Sequence, residues 1–161
     1  MLCTDLTCAY PKGKEIRMKT NKRNADGFDL FQLQQTKVLL IDDDRTIRRM
    51  VSMTISDYCS LQEAIDAQTG LEKIIEFEPD IVFLDLNLPD DNGHNILKWV
   101  MNNKPDTRTV VFSEHHDTDN LDRAIKNGAS GYVAKPFDPK RMMQHICHTP
   151  KATSKKKNKW R

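Results

Sequence analysis

Residues 81–93 read IVFLDLNLPDDNG. Four apolar residues run without a break from Ile81 to Leu84, and the run stops on an acid, Asp85. An unbroken apolar run of strand length fits a strand covered on both faces, as in a parallel sheet, better than a half-exposed strand, which would alternate. The Asn, Pro, Asp and Gly that follow are turn residues. Beyond them Ile96, Leu97, Val100 and Met101 recur at helical spacing.

The same strand-then-helix unit repeats on either side. Upstream, KVLLI (37–41) is a strand that ends on Asp42-Asp43-Asp44. The spacing of Ile47, Met50, Val51, Ile55 and Tyr58 predicts a helix after it. Ser60 to Ile65 forms a second strand, and Leu71, Ile74 and Ile75 mark a second helix closed by Pro79. Downstream, TVVFS (109–113) is a fourth strand. Leu121, Ala124 and Ile125 mark a fourth helix with Asn127-Gly128 as its C-terminal stop. GYVA (131–134) is a fifth strand, and a fifth helix runs from an N-cap at Asp138 to about His148. Five strands alternating with five helices predict an α/β, doubly wound parallel sheet. In such sheets ligands bind beyond the C-terminal strand ends.

Those ends carry a coherent set of side chains. The first strand ends at Asp42 and Asp43, the third at Asp85, the fourth at Ser113 and the fifth at Lys135. Clustered carboxylates cannot all stay ionised in an apolar setting without a counter-charge. A set of oxygen ligands suits Mg²⁺, which takes a few carboxylates and keeps positions for water or phosphate. One carboxylate can then attack phosphorus, while the cation and a lysine neutralise the phosphoryl oxygens and a hydroxyl donates to one of them. Each residue also has a bland role when taken alone. An acid pair after a strand supplies a helix N-cap, Asp85 would serve as a loop acid, and a lysine before proline as a surface residue. It is their joint placement at matching strand ends that favours the chemistry.

VLLIDDD, IVFLDLNLPDDNG, VVFSE and GASGYVAKPF together resemble the signatures of the CheY-like receiver domain of two-component response regulators, over about residues 36–148. The resemblance implies a flavodoxin-like (βα)5 fold with strand order 2-1-3-4-5. It implies that Asp85 is the phospho-acceptor. Asp42, Asp43, Asp85 and the backbone carbonyl of Asn87 would hold Mg²⁺, with Asp43 a direct ligand. Ser113 would be the switch hydroxyl, Lys135 the phosphate-pairing lysine, and Tyr132 the aromatic switch. Pro89 and Gly93 match the loop after the acceptor, and Lys135-Pro136 matches a peptide bond that is cis in this family. The chain departs from the pattern at Glu114, where a small residue is usual, and in a short fifth helix. Glu114 bears on the rate of phosphorylation, and the short helix on dimer formation.

Charge divides the chain in three. Residues 1–35 carry net +2, residues 36–148 net −6 and residues 149–161 net +6. The first segment reads as a mostly disordered extension, although Phe28, Leu30, Phe31 and Leu33 form an apolar patch that packs on the domain or on a partner. The last reads as a flexible basic tail that binds nucleic acid at most nonspecifically. No apolar run approaches the roughly 18 residues of a membrane span, and no secretory pattern opens the chain. Cys3, Cys8, Cys59 and Cys147 are few and scattered. Cys3 and Cys8 could pair or bind a metal with other ligands, but unpaired thiols in a reducing cytoplasm fit better. His145, Cys147 and His148 could form half of a metal site, but no second cluster completes it. His115 and His116 read as loop residues.

The resemblance, with these observations, implies a single-domain response regulator. It would accept phosphate from a sensor histidine kinase or a histidine phosphotransfer protein, and signal to a downstream protein by contact rather than act as an independent enzyme. A truncated DNA-binding regulator and a pseudo-receiver interaction module are the alternatives. The 13 residues from Thr149 onward are too few for a helix-turn-helix domain, and the intact acid, hydroxyl and lysine set argues against the pseudo-receiver.

Overall fold

In the computed structural model the described residues are 8–9, 15–16, 33–113, 118–137 and 139–147. Five strands, β1 (Lys37–Ile41), β2 (Ser60–Ala64), β3 (Ile81–Asp85), β4 (Arg108–Ser113) and β5 (Gly131–Ala134), alternate with five helices. These are α1 (Arg45–Ile55), α2 (Ala67–Phe77), α3 (Gly93–Asn103), α4 (Thr118–Lys126) and α5 (Pro139–Cys147). The strands form one parallel sheet in the order β2-β1-β3-β4-β5. Separately, Cys8–Ala9 pairs antiparallel with Glu15–Ile16, a two-rung ladder that the sequence does not announce.

Successive strand residues point to opposite faces, so each apolar run fills two cores at once. Val38, Leu40, Ile81, Phe83, Val110, Phe112 and Val133 pack with α1 and α5 residues such as Val51, Ile55, Met142 and Ile146. Leu39, Ile41, Val82, Leu84 and Val111 pack with Ile74, Ile96, Leu97, Val100 and Ala124 of α2, α3 and α4. Cover on both faces is what the unbroken runs predict. Leu33 is also buried in the α1/α5-side core, so this residue of the apolar patch packs inward; Phe28, Leu30 and Phe31 lie outside the described residues, as does Asp138.

Four residues assigned to helix core faces are exposed instead: Tyr58, Ile75, Met101 and Ile125. Tyr58 lies beyond α1, in the turn that closes it: the Ser56 amide donates to Ser52 O, and the Tyr58 and Cys59 amides both donate to Ile55 O. The other three each follow a buried residue, Ile74, Val100 and Ala124. One step along a helix turns a side chain by about 100°, out of the stripe facing the sheet. α4 does stop as predicted: Gly128 adopts φ +97° and the Ala129 amide donates to Ala124 O.

Candidate functional site

Strand alternation aims the key side chains. Asp42, Asp85 and Lys135 each stand two residues beyond a side chain of the α1/α5-side core, namely Leu40, Phe83 and Val133. All three therefore project on that side of the sheet, at its C-terminal edge. They are buried with it: Asp42 is 0%, Asp85 4% and Lys135 7% exposed. The Lys135-Pro136 bond is cis, and the Phe137 ring just beyond it packs tilted against Phe112, centroids 4.7 Å apart. That contact holds the chain on the far side of the lysine.

Lys135 Nζ lies 2.6 Å from Asp85 Oδ2 and 2.7 Å from Asp42 Oδ2. The ammonium donates a hydrogen bond to Asp85. Its ion pair with Asp42 is not aligned as a hydrogen bond, and Asp42 Oδ2 is left buried without one. The other oxygens are held by backbone: the Asp44 amide donates to Asp42 Oδ1 and the Asn87 amide to Asp85 Oδ1, at 2.9 Å each. Asp43 is exposed, yet one carboxylate oxygen from each of Asp42, Asp43 and Asp85 lies within 4.8 Å of the others. Beside them opens a cleft of about 490 Å³, walled by Asp43 on one side and residues 86–92 on the other.

Two buried acids thus share one amine, with Asp43 beside them, and the imbalance shows in the titration of Asp42. Burial drives the Asp42 pKa up; Lys135 and the Asp44 amide pull it back only in part, and the Asp85 charge adds to the rise. Burial pulls the Lys135 pKa down, but the close ion pair with Asp42, the hydrogen bond to Asp85 and the charge of both more than offset this, and the net direction is up. The lysine is therefore firmly ammonium, while the carboxylates still lack positive charge. A buried oxygen without a hydrogen bond, in an all-oxygen acidic set, fits a hard divalent cation.

Residues 38–147 match the response regulator receiver domain family. The chain belongs to that family. The receiver is 33% identical to the chemotaxis protein CheY of Thermotoga maritima over 112 residues, which cover 68% of this chain and 93% of that one. It is 34% identical to the nitrate/nitrite response regulator NarL of Escherichia coli K12, over 68% of this chain but 52% of NarL. Among solved structures, chemotaxis protein CheY4 of Vibrio cholerae superposes with a TM-score of 0.67 at 26% identity, over 72% of this chain and 99% of that one. Receiver domains of this family belong to two-component signalling, and phosphorylation on aspartate and Mg²⁺ binding are general features of it.

Of the residues singled out from the sequence, the receiver fold brings Asp42, Asp43, Asp85 and Lys135 together, with Asn87 at the cleft wall. Ser113 ends β4 and pairs in register with Ala134; its side chain, and Glu114, His115 and His116, lie outside the described residues. Tyr132 is half-buried against the α2/α3/α4-side core, the face opposite the acid–lysine trio.

Two supporting residues escape sequence reading. Arg48 reaches back from α1 and donates from Nη1 to the carbonyls of Asp42 and Asp43, both at 2.8 Å, while its Nε lies 3.5 Å from Glu63. Asp90, in the loop after β3, accepts from the Ala67 and Gln68 amides of α2. Arg48 reads in sequence as a solvent-facing helix residue. The partners of Asp90 lie more than 20 residues away, and no local pattern announces them.

Proposed function

We propose that this receiver accepts a phosphoryl group on Asp85 from a histidine kinase or a histidine phosphotransfer protein, and acts as a single-domain response regulator through protein contacts. The observation that carries this reading is the buried trio of Asp42, Asp85 and Lys135 at the sheet edge, with Asp43 alongside. A carboxylate oxygen of Asp85 forms the new bond to phosphorus as the bond to the donor imidazole nitrogen breaks. The imidazole leaves with the electron pair and takes up a proton. Lys135, already on Asp85, is placed to pair with a phosphoryl oxygen. Asp42, Asp43, Asp85 and the Asn87 carbonyl are the groups that would hold Mg²⁺, which supplies positive charge to the phosphoryl oxygens when bound. Ser113 would donate to the transferred group, and Tyr132, packed at the edge of the opposite core, would change its burial in response. The chain assists its own phosphorylation and dephosphorylation and has no separate enzymatic activity in this reading.

The functional unit on this reading is residues 36–148, flanked by an N-terminal extension (1–35) and a basic tail (149–161). We place the protein in the cytoplasm, where its free thiols Cys59 and Cys147 would stay reduced; among the described residues no helix is long and apolar enough to cross a membrane. A second reading, the receiver portion of a longer DNA-binding regulator, draws on the match to 52% of NarL. Intact mass of the native polypeptide separates the two.

Incubation with MgCl2 and an acyl phosphate should add one acid-labile phosphoryl mass to the wild type and none to Asp85→Asn. Equal labelling of both would remove Asp85 from the role.

A further inference from the structure

The acid–lysine trio is built from rigid strand ends, but one ligand in the proposed cation set is different in kind. The Asn87 carbonyl belongs to the backbone, so only the conformation of its loop can aim it. What holds that loop is therefore part of the site. At its two ends residues 86–92 are tied to β3. The Asn87 amide donates to Asp85 Oδ1 and the Gly93 amide to Leu86 O. Gly93 sits so close that a Cβ there would lie 2.4 Å from the Asp85 carbonyl oxygen. Within the loop Asn87 stands in an antiparallel bridge opposite Asn92, which folds the loop on itself, and Leu88 packs partly on the α2/α3/α4-side core; neither ties the loop to a neighbouring element by a directed bond.

Asp90 supplies the directed tie to α2. Its Oδ1 accepts from the Ala67 amide at 2.8 Å and its Oδ2 from the Gln68 amide at 3.0 Å. These are the first two amides of α2, which no helical carbonyl can serve. The next two are met locally, by Asp66 Oδ1 at Thr69 N (2.8 Å) and by Asp66 O at Gly70 N (3.1 Å). The first turn of α2 is thus capped twice, once from its own chain and once from the wall of the phosphorylation cleft. Using both oxygens fixes the orientation of Asp90 as well as its distance. Amide donation at this helix terminus, Ala67 first, also keeps the carboxyl below the ordinary carboxylate range.

From this geometry we infer that Asp90 is a positioning residue for the cation pocket: by clamping the β3–α3 loop onto the N-terminus of α2, it aims the Asn87 carbonyl and so sets the affinity for Mg²⁺. The inference rests on the proposed phospho-receiver reading and extends it to a residue that touches neither phosphate nor cation. A residue acting through another should change the affinity for the ion and leave the chemistry at saturation alone.

The test compares three variants with the wild type in the full chain. Titration with MgCl2 alone, by calorimetry or amide chemical shifts, should give Asp90→Ala a Kd raised about tenfold, the scale of losses when a residue supporting a metal ligand is removed. Asp90→Asn, which keeps an acceptor oxygen for one amide, should fall between. Asp66→Ala removes the local cap from the same helix without touching the loop, and its Kd should stay within twofold of wild type. With an acyl phosphate, Asp90→Ala should need about tenfold more MgCl2 for half-maximal labelling, yet label within twofold of the wild-type rate at saturation. Exchange at the Ala67 and Gln68 amides should speed up in Asp90→Ala and not in Asp66→Ala. A Kd for Asp90→Ala within twofold of wild type overturns the inference, as does an equal rise in Asp66→Ala, which would mark the effect as helix capping. If Asp90→Ala does not fold, Asp90→Asn decides by the same criterion. A wild type that binds MgCl2 and labels on Asp85 while Asp90→Ala is unchanged sinks only this inference. A wild type that does neither sinks the phospho-receiver reading and takes this one with it.

Discussion

The two edges of the sheet are both rich in charge, and they use it differently. At the N-terminal edge charged groups meet backbone or a side chain of opposite sign. Asp80 Oδ2 accepts from the Lys37 amide at 2.8 Å, and Lys37 Nζ donates to Phe77 O and lies over the Phe77 ring. Arg108 donates to His145 O, and the exposed pair Lys104–Glu78 closes at 3.1 Å. These contacts finish helices and align strands, and they include nothing like two buried acids on one amine. At the C-terminal edge Asp42 and Asp85 are buried on a single lysine, and an oxygen of Asp42 goes without a hydrogen bond. Charge that is matched locally stabilises the fold. Charge that is buried and short of positive partners is held in place by the fold for another purpose.

That contrast can be broken by mutation, and the largest effect is expected at Lys135. Lys135→Met leaves Asp42 and Asp85 buried without a cation, and breaking such an arrangement costs about 3–5 kcal/mol. Urea unfolding at pH 7 should show that loss, and acidification or added MgCl2 should recover part of it. An unchanged midpoint would mean that the pocket is better solvated than its burial indicates.

Asp42→Asn should act in the opposite direction. Because the pKa of Asp42 is raised in the folded state, the native protein holds this proton more tightly than the unfolded chain. Stability therefore falls as pH rises from the ordinary value of 3.8 through the raised one. Above that window the ionised carboxylate is a net load, and Asp42→Asn should raise the urea midpoint of the metal-free protein at pH 7. The gain should fade as pH drops below the window, and MgCl2 should stabilise the wild type more than the variant. A variant less stable than wild type at pH 7 would show that the Lys135 ion pair outweighs burial.

The smallest effect belongs to the other edge. Asp80→Ala removes the acceptor of the Lys37 amide and should cost about 1 kcal/mol, with the response to MgCl2 and the labelling of Asp85 unchanged. If labelling fell with stability, the two edges would be coupled and the division drawn between them would not hold.

By itself the sequence determined which residues stand at the strand ends. Unbroken apolar runs such as KVLLI and IVFLD can satisfy both faces only in a covered parallel sheet, and a period of two then places Asp42, Asp85 and Lys135 on one side. Local turn chemistry was equally legible at Gly128, which takes the positive φ that ends α4. Tertiary structure alone decided how charge is shared and which residues brace the site. That two buried acids meet one amine with a third beside them, that Arg48 holds the carbonyls of Asp42 and Asp43, and that Asp90 caps a helix more than 20 residues away all depend on packing. So does the exposure of Ile75, Met101 and Ile125, because helical spacing marks a stripe but not how wide a stripe the sheet will cover. Periodicity is a property of neighbours along the chain and can be read there; a hydrogen bond between distant segments exists only once the fold has brought them to within about 3 Å.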